Sequence, residues 1–143
     1  MSAEHALRAQ LGSDSSIRVA SAGITANPQE MLPLVRQRLI DRGIDPSGHR
    51  QRRLTQEILD EADIAVAMSL DHQVHVAEHF DRQIPLFNRI SFGQDEPLLD
   101  IGEHFANWRD VPDEVDVYVI QMVDTIWDAI PRFLKNAPDF STR

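Results

Sequence analysis

No cysteine occurs among the 143 residues. That absence excludes a disulfide framework, a thiolate metal site and a cysteine nucleophile within the chain. Long apolar runs are missing too, since none approaches the ~20 residues that span a bilayer. Nor does the chain open with the basic-then-apolar layout of a signal peptide. The expectation is a cytoplasmic protein with no membrane partner. Positive charge is scarce: 14 Lys and Arg against 23 Asp and Glu leave a formal charge of −9. Nucleic-acid phosphates need clustered basic side chains, so nucleic acid is not an expected partner. The one basic run, Arg50 to Arg53, reads on charge alone either as a solvated loop or as an anion-facing segment.

What is present is ordinary for a globular chain, with 42% apolar and 26% charged residues. Its length suits one domain with a real core, expected over residues 1–135 with a frayed tail at 136–143. A helix should run from Ser2 to Gln10, with Ser2 as N-cap and Gly12 as the stop. Ile17–Ala20 reads as a short strand and Ser21–Glu30 as a loop. Pro33 suits the first position of a helix that ends at Arg42 and closes at Gly43; Leu34, Val35, Leu39 and Ile40 form its expected buried stripe. Thr55 can cap a short helix to Glu61, and Ser69 one from Leu70 to Phe80.

Ile64–Met68 is apolar without alternation, the pattern of a strand covered on both faces of a parallel sheet. Ile84–Phe87 fits an edge strand, where Pro85 is tolerated. Ser91–Asp113 is long and polar, the length of a functional loop. The last helix, Asp116–Leu134, carries Ile120, Val123, Trp127, Ile130 and Leu134 on one stripe, and Pro131 should kink or shorten it. Strands alternating with helices predict an α/β fold with a mostly parallel sheet.

Ser21-Ala-Gly23, Gly43-Ile-Asp45, His49-Arg-Gln-Arg-Arg53, Ala62–Met68 and Val111-Pro-Asp113 follow one another in an order and spacing that resembles the low-molecular-weight protein tyrosine phosphatases. Ala3-Glu4 matches the start of that family's first helix. The resemblance implies a three-layer α/β/α fold of the phosphotyrosine phosphatase I type. It implies hydrolysis of phosphotyrosine proteins with no cofactor: a cysteine thiolate attacks phosphorus, loop amides and an arginine hold the phosphate, and an aspartic acid protonates the leaving oxygen. That cysteine and arginine belong to a C-x5-R-[ST] loop after a central strand, and the pattern does not occur here. The expectation is therefore a chain lacking the first central strand and the phosphate loop, inactive as it stands. Met1 is then an internal methionine of a longer protein, with a gene truncation as the second explanation. A strand-donating partner or a pseudophosphatase that binds a phosphoprotein are further readings. An arsenate reductase of the same fold would need several cysteines for its thiol relay.

By the resemblance, Asp113 is the general acid, although Glu114 follows it where the family carries proline; Asp110 ranks second. His49 and Ser21 match residues that support the phosphate loop, and Arg52 matches a basic position with a structural or surface role. On their own, a loop histidine or a serine ending a strand is usually structural. Asp71, His75 and His79 share one helix face with His72 alongside. A solvated face is expected there, and no metal, because no fourth ligand stands at a convincing spacing. Trp108 could line the mouth of a site or anchor its loop on the core.

Overall fold

Pro112 starts the element around which the rest is arranged. In the computed structural model, which describes every residue except Asp14, Pro28 and Arg143, the helices are α1 (Ser2–Leu11), α2 (Pro33–Asp41), α3 (Gln56–Glu61), α4 (Leu70–Phe80), α5 (Phe87–Phe92), α6 (Ile101–His104) and α7 (Pro112–Asn136). Pro28 belongs to the expected Ser21–Glu30 loop and Arg143 to the expected tail, so those two expectations lie partly outside the described residues. Over its 25 residues, α7 is about 37 Å long at 1.5 Å per residue. Val115, Val119, Val123, Ile126, Ile130 and Phe133 recur every three or four positions and are buried, which gives α7 one long apolar stripe.

Two clusters share that stripe. Toward its start, Val115, Val119 and Val123 pack with Met31, Val35 and Leu39 of α2 and the segment before it. Toward its end, Ile126, Ala129, Ile130 and Phe133 pack with Ala6 of α1 and with Phe87 and Ile90 of α5. Helices α1, α2 and α5 all contact α7. The stripe expected on α2 is narrower in fact: Val35 and Leu39 are buried, Leu34 is half-buried and Ile40 is exposed.

The expected parallel sheet does not form as ladders among the described residues. Two isolated parallel bridges stand in its place, Gly23 with Arg53 and Ala67 with Leu86. At the second, the Ala67 N–H donates to the Pro85 carbonyl and the Phe87 N–H to the Ala67 carbonyl, at 2.9 and 2.8 Å. The next rung would need an N–H on Pro85, which has none, so the ladder stops after one pair. The apolar run nevertheless turns inward, with Ile64, Val66 and Met68 packing against the α5–α7 core. Ile84–Phe87 is accordingly not a strand but a bridge residue leading into α5.

Other boundaries moved by local chemistry. Met1, not Ser2, occupies the α1 N-cap position. Thr55 caps α3 as expected, its Oγ1 accepting from Ile58 N at 3.4 Å, whereas Ser69 precedes α4 without a side-chain cap bond. The long loop contains a turn of helix, α6, closed by an Asp100–Glu103 capping box. Beyond α7 the chain makes a 3-10 turn over Ala137–Phe140, and Asn136 Nδ2 donates to the Ile90 carbonyl at 2.8 Å.

Pro131 neither ends nor shortens α7, which runs on to Asn136. A proline leaves the carbonyl four residues earlier without its helical donor; here that is Trp127. The Gln10 side chain of α1 donates to the Trp127 carbonyl at 2.9 Å. Below it, Asp124 accepts from both Arg38 and Arg42 of the α2 end, at 2.7–2.9 Å, and the Arg42 guanidinium also lies 4.6 Å over the Trp127 ring.

Two outcomes are expected. Gln10→Leu should cost about 1–2 kcal/mol in urea unfolding by orphaning the Trp127 carbonyl, and the cost should shrink in a Pro131→Ala background, where the helix supplies its own donor. The hydrogen bonds from Arg38 and Arg42 hold the Asp124 carboxyl at about 2, below its ordinary 3.8. A depressed acid stabilises the fold above its unfolded pKa and loses that contribution as pH falls toward the folded one. Urea midpoints should therefore fall between about pH 4 and pH 2 with an increment that Asp124→Asn lacks.

Candidate functional site

Glu4 and His5 are buried, at 7% and 6% exposure, on the first turn of α1. A buried carboxylate needs partners, and Glu4 draws them from three parts of the chain. Arg8, one turn on, reaches it at 2.7 Å. The Ser21 hydroxyl donates to Glu4 Oε2 at 2.5 Å. His49 Nδ1 faces the same oxygen at 3.5 Å.

Local structure explains how these side chains arrive. Arg8 also donates through Nε and Nη2 to the Val19 carbonyl, at 3.1 and 2.6 Å, which fixes α1 beside the segment that ends in Ser21. That segment is tied onward: Arg52 Nε donates to the Ser21 carbonyl at 3.2 Å. Gly23 exchanges backbone bonds with Arg52 and Leu54 at 2.9 and 2.8 Å. His49 leaves a turn in which Asp45 Oδ1 accepts from Ser47 N at 2.9 Å and the Pro46 carbonyl accepts from His49 N at 3.0 Å. Asp45 itself is held below the usual carboxylate range by that Ser47 backbone bond.

The His5 and His49 rings lie 5.3 Å apart, tilted by 55°. Each has a buried Nε2 that meets no hydrogen-bond partner among the described residues. Burial pushes the His5 imidazole below its ordinary range; the Glu4 carboxylate opposes this, while His49 adds to it. Both histidines line an open cleft of about 660 Å³ between α1 and the 43–49 turn, together with Arg8, Ile17, Ile44 and Asp45.

Ser21 and His49 thus meet at one carboxylate. Asp113 sits elsewhere, exposed in the first turn of α7 directly after Pro112. Among the described residues no hydrogen bond or ion pair links it to Glu4, Ser21 or His49. Asp110 closes a turn through its N–H to the Asn107 carbonyl at 2.8 Å. Trp108 is exposed beneath the Arg109 guanidinium, 4.5 Å from its ring centre, rather than anchored on the core. On α4, His75 and His79 stack at 4.1 Å; among the described residues no three His, Asp or Glu side chains converge as a metal site would require.

The sequence reading missed Glu4, His5 and Arg8 as site residues. The available signal was the Glu4–Arg8 spacing of four, but that pattern decorates many solvated helices. Chemically, the cluster fixes groups in place: Ser21 spends its proton on Glu4, and no thiol stands nearby.

A buried polar cluster thus stands on the first turn of α1, beside the segments joined by the Gly23–Arg53 parallel bridge. The chain belongs to the low molecular weight phosphotyrosine protein phosphatase family, whose model it matches over residues 1–126. Among solved structures it is similar to the YwlE arginine phosphatase with a phosphorylated active-site serine in place of cysteine (TM-score 0.78, 20% identity, 96% of this chain and 86% of that one). It is likewise similar to YwlE arginine phosphatase from Geobacillus stearothermophilus (TM-score 0.75, 20% identity, 96% and 84% covered). A low molecular weight protein tyrosine phosphatase from Bacillus subtilis, solved in solution, is another (TM-score 0.74, 19% identity, 96% and 88% covered). At these identities the likeness carries the fold. No curated protein sequence matches the chain.

Glu4→Ala should cost about 1–3 kcal/mol, because it takes the carboxylate partner from the half-buried Ser21 hydroxyl and the buried His49 ring. Urea unfolding checks this; an unchanged midpoint would mean that the cluster is solvated.

Proposed function

We propose that these residues are the scaffold of a cytoplasmic phosphate-monoester hydrolase acting on phosphotyrosine proteins. Its fold is the three-layer α/β/α type with a mostly parallel sheet whose first central strand is not among the 143 residues. Glu4, held by Arg8, positions Ser21 and His49 to support a phosphate-binding loop. Asp113 is the acid that protonates the leaving tyrosine oxygen while a thiolate takes the phosphoryl group, and water then releases phosphate from the phosphocysteine. The thiolate and the loop arginine do not occur in this chain in the C-x5-R-[ST] pattern, so the polypeptide alone should not turn over. The observation that carries the reading is the meeting of Ser21 and His49 on one buried carboxylate, within a chain of this family.

A second reading draws on the absence of cysteine: a non-catalytic module that binds a phosphoprotein, or a partner chain that lends a strand by β-augmentation. Because two of its structural neighbours are arginine phosphatases, phosphoarginine is the competing substrate class.

Hydrolysis of para-nitrophenyl phosphate separates the readings. The polypeptide as it stands should show no rate above buffer, and a measurable rate would overturn the thiolate requirement. With a strand and C-x5-R-[ST] segment fused ahead of Met1, activity should appear. Asp113→Ala in that fusion should then lower kcat about 10²- to 10⁴-fold, with phosphate inhibition unchanged. A larger effect from Asp110→Ala would move the acid there. Retention of phosphotyrosine peptides by the unfused chain, with no activity in the fusion, would favour the binding module.

A further inference from the structure

Arginines in several parts of the chain find carboxylates. Arg8 takes Glu4, Arg38 and Arg42 share Asp124, Arg82 faces Asp60 and Arg89 faces Asp95. The basic run behaves otherwise. Arg50, Arg52 and Arg53 are all exposed, and among the described residues none of them meets a carboxylate in an ion pair. Acids are not in short supply, since 23 Asp and Glu stand against 14 Lys and Arg. The place of the run is fixed by its backbone. Arg52 Nε is tied to the Ser21 carbonyl at 3.2 Å, and the Gly23–Arg53 bridge extends that tie. Arg50 follows His49 directly and turns Nη1 back to the His49 carbonyl at 3.2 Å. At the other end Arg53 borders α4. Burial first, then His79 and Arg53, hold the His75 imidazole of that helix below its ordinary range, against Glu78.

We propose that Arg50 and Arg53 form a docking surface for an acidic polypeptide segment, the stretch that flanks the phosphorylated residue of a protein substrate. This rests on the reading of Ser21 and His49 as supports of a phosphate-binding loop. It adds a preference for the surrounding sequence that a phosphate group alone cannot supply. A guanidinium presents a rigid fork of N–H donors that fits a carboxylate through two parallel bonds. Arg52 has turned Nε inward to Ser21, whereas Arg50 spends only Nη1 on a neighbouring carbonyl. The Arg53 side chain makes no hydrogen bond among the described residues. Those two forks are the ones open to a visitor.

The formal charge of −9 repels an acidic segment at long range. That repulsion is screened beyond about 8 Å at physiological salt, so at contact the arginines under the segment decide. A nucleic acid is disfavoured at the same place, because its affinity needs many phosphate contacts and the run offers few.

Fluorescence anisotropy of the full chain tests this with two labelled peptides of equal length, one with Glu at alternate positions and one with Gln there. The Glu peptide should bind about three- to tenfold more tightly at low salt, as two exposed ion pairs imply. Arg50→Gln combined with Arg53→Gln should erase that preference and leave the affinity for the Gln peptide as it was. Arg36→Gln combined with Arg132→Gln removes the same charge from other exposed positions and should keep the preference. An equal loss in both double variants, or no preference in the unaltered chain, overturns the docking surface. Should the Arg50, Arg53 variant not fold, amide NMR shifts of the unaltered chain decide. Changes on adding the Glu peptide that centre on residues 49–54 support the proposal, and changes centred elsewhere overturn it. A single-stranded oligonucleotide bound more tightly than the Glu peptide overturns it as well. Binding is read without the fused segment, so an inactive fusion leaves the docking surface standing, and a missing peptide preference leaves the hydrolysis reading untouched.

Discussion

A single carboxylate inside the protein, that of Glu4, sets how the first half of the chain is arranged. Arg8 of α1 and Ser21 of the 17–23 segment donate to it, and the His49 ring faces it from a third segment. An isolated buried carboxylate would be costly, and so would a buried His49 ring that faced no partner. Each part therefore holds the others. The residues proposed to support a phosphate loop are thus also ones that join three segments of the chain.

The second organising element is α7. Its apolar stripe serves both cores, one with α2 and one with α1 and α5, while Asp124 collects the end of α2 through two arginines. Polar ties on one flank and apolar packing on the other restrict α2 to one position along the helix. The cleft and the Glu4 cluster inherit their geometry from that placement, because α1 leans on the same helix and is anchored to it by Gln10.

Much of the helical layout was legible in the sequence. Pro33 and Gly43 bracket α2, Thr55 opens α3, and the Ile64–Met68 run points at the core, because proline, capping and apolar periodicity act locally. The family was legible as well, through motifs that are each weak but keep their order. The sheet was less so. Strand patterns report covered faces, not partners along an edge, and a ladder also needs N–H groups where Pro85 has none. Pro131 misled for a similar reason. Its effect depends on whether a distant donor can serve Trp127, and nothing local reveals Gln10. Glu4 and His5 escaped notice because burial of a charged helix turn depends on what folds over it.

Because α7 walls both cores, α1 and α2 have little to fold against until residues 112–136 have left the ribosome. The amide that completes the Trp127 turn sits on residue 10, so α7 depends on a donor 117 residues away along the chain. A nascent chain halted before that point would display two unpaired apolar surfaces together, an aggregation-prone state rather than a stable intermediate.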